Sequence, residues 1–149
     1  MPTGIVRRGV TRLLAAVVEP AGEATLERWF GRRPVLAIAF RMMARSYRPE
    51  ISPGFHGTVV YTLTQPATDG PDLGWSVDVW GSRAVASHGV PGPDSPVAVR
   101  VRTPLADFVR IGAGLIDPAE PMLAGRGSFT GELGLAARLP EMFGAPSPI

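Results

Sequence analysis

Thirteen carboxylates, two histidines and fifteen arginines are the side chains of greatest chemical reach in these 149 residues, and lysine, cysteine and asparagine are absent. Without cysteine there is no thiol nucleophile, disulfide or thiolate metal site. Without lysine there is no Schiff base and no lysine general base. His56 and His88 stand alone and make no histidine cluster for a transition metal. Both fall near the ends of expected strands, where a surface position fits better than a catalytic base. Most carboxylates fall in loops, at helix starts or on outward faces, and acid/base chemistry by a carboxylate pair needs two that converge. Asp78, in the middle of an expected strand, is the strongest single candidate. Its plain role is a cross-strand partner for Arg83 or Arg100. An enzymatic reading requires Asp78, Tyr61 or His88 to face a pocket.

Phosphate chemistry has no support either. Gly112-Ala113-Gly114 and Gly125-Arg126-Gly127 lack the later glycine of a dinucleotide fingerprint and do not follow a strand in the required order. They read as helix caps and a close backbone approach. The formal net charge of +2 is too small to imply nucleic acid, and the aromatic spacing of RNA-binding sheets is missing. The expectation is a protein with no catalytic residue, no metal, no cofactor and no nucleic-acid partner.

The elements that must position these side chains are legible from periodicity. Val6, Val10, Leu13, Leu14, Val17 and Val18 recur at helical spacing, with Arg7, Arg8 and Arg12 off that face. A second helix begins near Ala24 and carries Leu26, Trp29 and Phe30. A third runs from about Pro34 to Ser46, with either Val35, Ile38, Met42 and Met43 or Ala39 and Phe40 facing inward. From Phe55 the period changes to two. Phe55, Gly57, Val59, Tyr61 and Leu63 share one strand face. Trp75, Val77 and Val79 share the inward face of the next. Gly81-Ser82 suits a hairpin turn into Arg83–His88, and Val97, Val99 and Val101 mark a fourth strand. Thr103 reads as a helix N-cap with Pro104 at the first helical position and Asp107 in the first turn. Leu105, Phe108 and Val109 make the buried face of that helix. Asp117 caps a short helix with Met122 and Leu123 inward. Arg126–Gly131 is a fifth strand, and the closing helix carries Leu135, Leu139, Met142 and Phe143. A meander followed by a strand–helix–strand crossover implies a mixed sheet with helices packed on it.

Hydrophobic residues make up 45% of the chain and mean hydropathy is +0.14. No apolar run approaches the roughly 18 to 20 residues that cross a bilayer. Arg7-Arg8 precedes the apolar stretch LLAAVV, but the stretch is short, Glu19 closes it and no small-residue cleavage site follows. The reading is cytoplasmic, with a large or hollow apolar interior.

The C-terminal stretch resembles the sterol carrier protein 2 (SCP2) domain family. The residues that carry the likeness are Asp107-Phe108-Val109-Arg110-Ile111 before Gly112 and Gly114, then Leu115-Ile116-Asp117-Pro118. Ala124 to Gly131 and Gly134 to Leu139 follow in the family's order. The resemblance implies an α+β fold in which a five-stranded mixed sheet and its covering helices surround an apolar cavity. It implies noncovalent binding of sterols, fatty acids or other lipids, not catalysis. On this reading residues 1–22 form an amphipathic helical extension and 23–149 the lipid-binding domain. The candidate lining is Phe108, Ile111, Leu115, Met122, Leu123, Phe129, Leu135, Leu139, Met142 and Phe143, with Phe40, Met43 and Trp75 opposite. Methionine suits such a wall because its flexible side chain repacks around different ligands. Arg100, Arg102 and Arg110 are the candidates to meet an anionic headgroup, and Ile5–Val18 the segment to touch a membrane. Two other readings stay open. One is an enzyme or accessory protein holding a metabolite in the same pocket. The other is a docking module with a filled core, for which a homodimer is allowed.

Overall fold

The structure is a computed structural model and describes residues 12–92 and 94–144. The first helix, α1, is described over residues 12–18; its earlier apolar positions, Val6 and Val10, lie outside the described residues. Then follow α2 (Glu23–Phe30), α3 (Arg33–Arg45), a 3-10 turn (Pro49–Ile51), β1 (His56–Gln65), β2 (Gly70–Trp80), β3 (Arg83–His88) and β4 (Val99–Pro104). The chain closes with α4 (Leu105–Gly112), α5 (Glu120–Leu123), β5 (Ser128–Gly131) and α6 (Leu133–Met142). The five strands form one mixed sheet in the order β3-β2-β1-β4-β5, an α+β fold.

The alternation read from the sequence sets the register. β1 and β2 pair antiparallel with Val59 opposite Val77 and Tyr61 opposite Trp75, so the inward positions coincide. The turn at Gly81, φ +59°, returns the chain into β3. The parallel pair is β1 with β4, Val59 opposite Val99 and Tyr61 opposite Val101. β4 is reached from β3 by residues 89–98, whose Val90, Pro91 and Pro96 line a shallow groove with Thr58, Ser76 and Asp78 on the outer sheet face. The helical connection through α4 and α5 returns antiparallel beside β4, with Val101 opposite Phe129. Gly131 ends β5 at φ +104°, close against the Ala98 carbonyl, where a side chain would collide.

Helices cover the inner face. α3 packs over β3, α4 against β1, β4 and α2, and α6 against β4, β5 and the 3-10 turn. Leu36, Phe40 and Ala44 are the buried stripe of α3. Of the two faces left open for that helix, the one with Phe40 packs inward, and Ile38 and Met42 of the other face outward, 58% and 51% exposed. The sequence offers two apolar stripes there, and only the one carrying the large Phe40 ring meets the sheet. On α1, Leu14 and Val18 turn inward while Leu13 and Val17 are exposed.

Thr103 is not an N-cap. β4 continues through Pro104, which pairs with Thr64 of β1, and α4 begins at Leu105 without a side-chain cap. The parallel ladder therefore claims Thr103 as its last inward residue. Asp117 does not cap α5 either: the helix starts only at Glu120 with Ala119 at the N-cap position, and Asp117 Oδ1 accepts from the Ala119 N–H at 2.8 Å in the turn before it.

Candidate ligand-binding interior

The inward residues of β1, β2 and β4 and the buried stripes of the helices converge on one cluster. At its centre Phe40 stacks on Trp75, centroids 5.0 Å apart, and on Phe108 at 5.1 Å. Tyr61 meets Phe40 and Phe108 edge-on at 5.5 and 6.0 Å. Burial pushes the Tyr61 hydroxyl far above its ordinary range.

Phe40, Trp75, Leu135, Leu139, Met142 and Phe143 are buried in this cluster, and Met43, Phe108, Leu115, Met122 and Phe129 pack half-buried against it. Two expected lining residues do not join it. Leu123 is 87% exposed, because α5 is a single turn that seats Met122 and leaves Leu123 to solvent. Ile111 is half-buried but off the cluster, on the far side of α4 from Leu105 and Val109.

The candidate chemical groups do not assemble. Asp78 lies on the outer face and accepts a hydrogen bond from Thr58 Oγ1 at 2.6 Å, in place of the expected arginine. His88 sits exposed at the sheet edge, its ring edge-on to Trp75 at 5.3 Å. Of the three, Tyr61 alone is enclosed in the apolar interior. Nor do the candidate headgroup arginines face inward. Arg100 and Arg102 are on the outer face, Arg102 pairs with Asp72 at 2.9 Å, and Arg110 lies 3.7 Å from Glu23.

Four polar features went unread in the sequence. Glu27, only 2% exposed, accepts from the Ala67 and Thr68 N–H groups and from Thr68 Oγ1 at 2.7–3.0 Å, tying α2 to the β1–β2 turn. Asp107, 3% exposed, receives both Nε and Nη2 of Arg126 at 3.0 Å, and Arg126 also reaches Glu120. These bonds hold the Arg126 guanidinium still more firmly protonated than usual. Tyr47 Oη and Thr103 Oγ1 are buried with no hydrogen-bond partner among the described residues. For Thr103 the signal was available: it follows Val99 and Val101 at the strand period. Burial first and the charge of Glu50 second raise the pKa of Tyr47.

A shallow groove of about 410 Å³ opens beside the Asp107–Arg126 pair, lined by Glu23, Thr64, Arg102, Asp107 and Arg126 among others, and contains none of the expected lining residues.

The element order, the crossover and the apolar interior agree with the sequence resemblance, and the comparison with known families decides it. The profile of the SCP-2 sterol transfer family matches residues 41–144. The chain belongs to that family. Among solved structures, palmitated SCP2L2 from Aedes aegypti superposes with a TM-score of 0.57 at 22% identity, over 76% of this chain and 96% of that one. Sterol carrier protein 2 from Yarrowia lipolytica, in its apo form, gives 0.51 at 16% identity, over 69% and 74%. The sec-alkylsulfatase Pisa1 from Pseudomonas sp. gives 0.56 at 15% identity, over 75% of this chain but 16% of the enzyme. An SCP2 fold therefore occurs alone and as a small part of an enzyme. A search of curated protein sequences finds no match. The family match covers α3 from Arg41 onward, and α1 and α2 precede it.

Proposed function

We propose that this SCP2 domain binds sterols, fatty acids or other lipids noncovalently between its inner sheet face and helices, and transfers them between membranes. The observation that carries the reading is the half-buried apolar set Met43, Phe108, Leu115, Met122 and Phe129, continuous with the fully buried core. These side chains border the solvent and the interior at once, so they are the ones that part to admit an acyl chain. Each methylene buried contributes about 0.8 kcal/mol, and ligand pockets are mostly apolar with few polar groups. Residues 23–149 are the binding domain on this reading. Residues 1–22 are the extension, anchored by Val18, which is fully buried in the common core.

The test is to purify the protein, extract it under denaturing conditions and compare native and extracted samples by mass spectrometry. A lipid at near-stoichiometric occupancy is the expected result. An empty protein that also fails to bind a fluorescent fatty acid and a fluorescent sterol overturns the reading.

Charge distribution supports contact with an anionic membrane. Residues 28–49 carry six arginines and no carboxylate, whereas the rest of the chain carries nine arginines against thirteen carboxylates. Among the described residues only Arg48 of the six is ion-paired, to Glu50. On α3, Arg41 and Arg45 flank exposed Ile38 and Met42, and on α1 Leu13 and Val17 are exposed as well. Basic side chains beside an apolar ridge are what an anionic lipid surface attracts. No helix among the described residues is long and apolar enough to cross a membrane.

A further inference from the structure

Thr103 is 3% exposed on the inner face of β4, in phase with Val99 and Val101 and opposite Leu63 of β1. Its hydroxyl is buried with no partner among the described residues. Buried hydroxyls in native proteins are normally hydrogen-bonded, and leaving one unsatisfied is destabilising. Valine is equally β-branched and suits a strand equally well. The hydroxyl therefore carries a cost that nothing in its own structure offsets.

Its surroundings indicate what does. Thr103 stands at the root of α4, two residues before Leu105. Phe129 pairs with Val101, one inward position away. Gly127 has no side chain, and the Met122 thioether lies in the space it leaves, next to the Arg102 carbonyl. Among the described residues the two neighbouring cations are spent, Arg102 on Asp72 and Arg126 on Asp107 and Glu120. A carboxylate drawn in here would be buried without a counter-charge, which is costly. A neutral hydroxyl could either donate to the Thr103 hydroxyl or accept from it, one hydrogen bond in either sense.

We infer that Thr103 holds the polar end of the bound lipid and selects a neutral lipid alcohol over a fatty-acid anion. This rests on the lipid-binding reading above. Thr103 is a positioning and specificity residue; it performs no chemistry.

The experiment measures displacement of N-phenyl-1-naphthylamine from the wild type, Thr103→Val and Thr103→Ser by 1-hexadecanol, palmitate and hexadecane. The wild type should bind hexadecanol more tightly than palmitate or hexadecane. Thr103→Val should lose about tenfold for hexadecanol, the worth of one hydrogen bond, with hexadecane unchanged. Thr103→Ser should keep the preference. Thr103→Val should melt at the same temperature or higher, which separates lost recognition from lost folding. Equal hexadecanol affinity in wild type and Thr103→Val overturns the inference, as do equal losses for hexadecanol and hexadecane or a wild-type preference for palmitate. A wild type that binds neither the probe nor any of the three lipids overturns the lipid-binding reading itself.

Discussion

Phe40 of α3 lies flat on Trp75 of β2, their centroids 5.0 Å apart and their planes 7° from parallel. The same ring stacks on Phe108 of α4 and meets Tyr61 of β1 edge-on. One fully buried side chain thus joins two helices to the first two strands of the meander. Phe40→Ala should destabilise the fold by about 3–5 kcal/mol, read as a fall in the urea midpoint followed by tryptophan fluorescence. A loss below about 1 kcal/mol, the ordinary effect of a surface change, would mean that the ring does not organise this core.

The Asp107–Arg126 pair joins the first turn of α4 to the segment leading into β5. The Asp107 side chain is 4% exposed and that of Arg126 38%. Arg126→Ala leaves a buried carboxylate without its two-pronged donor. Breaking a fully buried pair costs about 3–5 kcal/mol, and the partial exposure of Arg126 reduces this to about 1–3 kcal/mol. Arg126→Lys keeps the charge but not the fork, and should recover only part of the loss. The double change Asp107→Asn with Arg126→Gln should be milder than Arg126→Ala, because no charge is left buried. Thermal melts of the three variants give the order directly; a double variant worse than Arg126→Ala contradicts it.

The sheet was legible because strand alternation is strict where one face is buried. Val59, Tyr61, Leu63, Trp75, Val77, Val79, Val99 and Val101 all take the inward positions their spacing predicts. The helices were less so. α3 carries apolar residues around most of its circumference, and periodicity cannot choose between Phe40 and the Ile38–Met42 ridge without the sheet in view. The element order of the α4–β5 region follows from its sequence pattern, yet local capping preference predicts an N-cap at Thr103, where the parallel ladder outweighs it. Glu27 and Asp107 were placed among ordinary surface acids. Their partners lie in other elements, 40 and 19 residues away, and pairwise convergence of that kind leaves no local pattern.

The arginine-rich face should govern membrane binding by charge. Arg41 and Arg45 are exposed and unpaired among the described residues, so reversing them disturbs no ion pair. Each cationic side chain near an anionic surface is worth about 1 kcal/mol. Arg41→Glu with Arg45→Glu should lower the affinity for phosphatidylserine-containing vesicles by more than tenfold, while leaving the melting temperature and binding to phosphatidylcholine vesicles nearly unchanged. Wild-type binding should also weaken as salt is raised. Cosedimentation that is insensitive to both salt and charge reversal would rule out this face.

Alkaline pH isolates two residues with unusual clarity. The chain has no lysine and no cysteine, so between about pH 9 and 12 its titrating side chains are Tyr47 and Tyr61. Both are raised above the ordinary value of 10.0, Tyr61 by burial and Tyr47 by burial and then by the charge of Glu50. The sign follows from proton counting. Below about pH 10 the folded and unfolded chains hold the same phenolic protons, and the full stability is present. Above it the unfolded chain releases them while the folded chain keeps them, so stability falls as pH rises. The limiting slope is about 1.4 kcal/mol per pH unit for one fully protected tyrosine. Urea midpoints should therefore hold level to about pH 10 and then drop, with tyrosinate absorbance appearing on unfolding. Tyr61→Phe should flatten most of that drop and Tyr47→Phe less, since Tyr47 is only half-buried. A wild-type midpoint that stays level to about pH 11 would show that the Tyr61 hydroxyl reaches water, and with it that the interior around Phe40 and Phe108 is open.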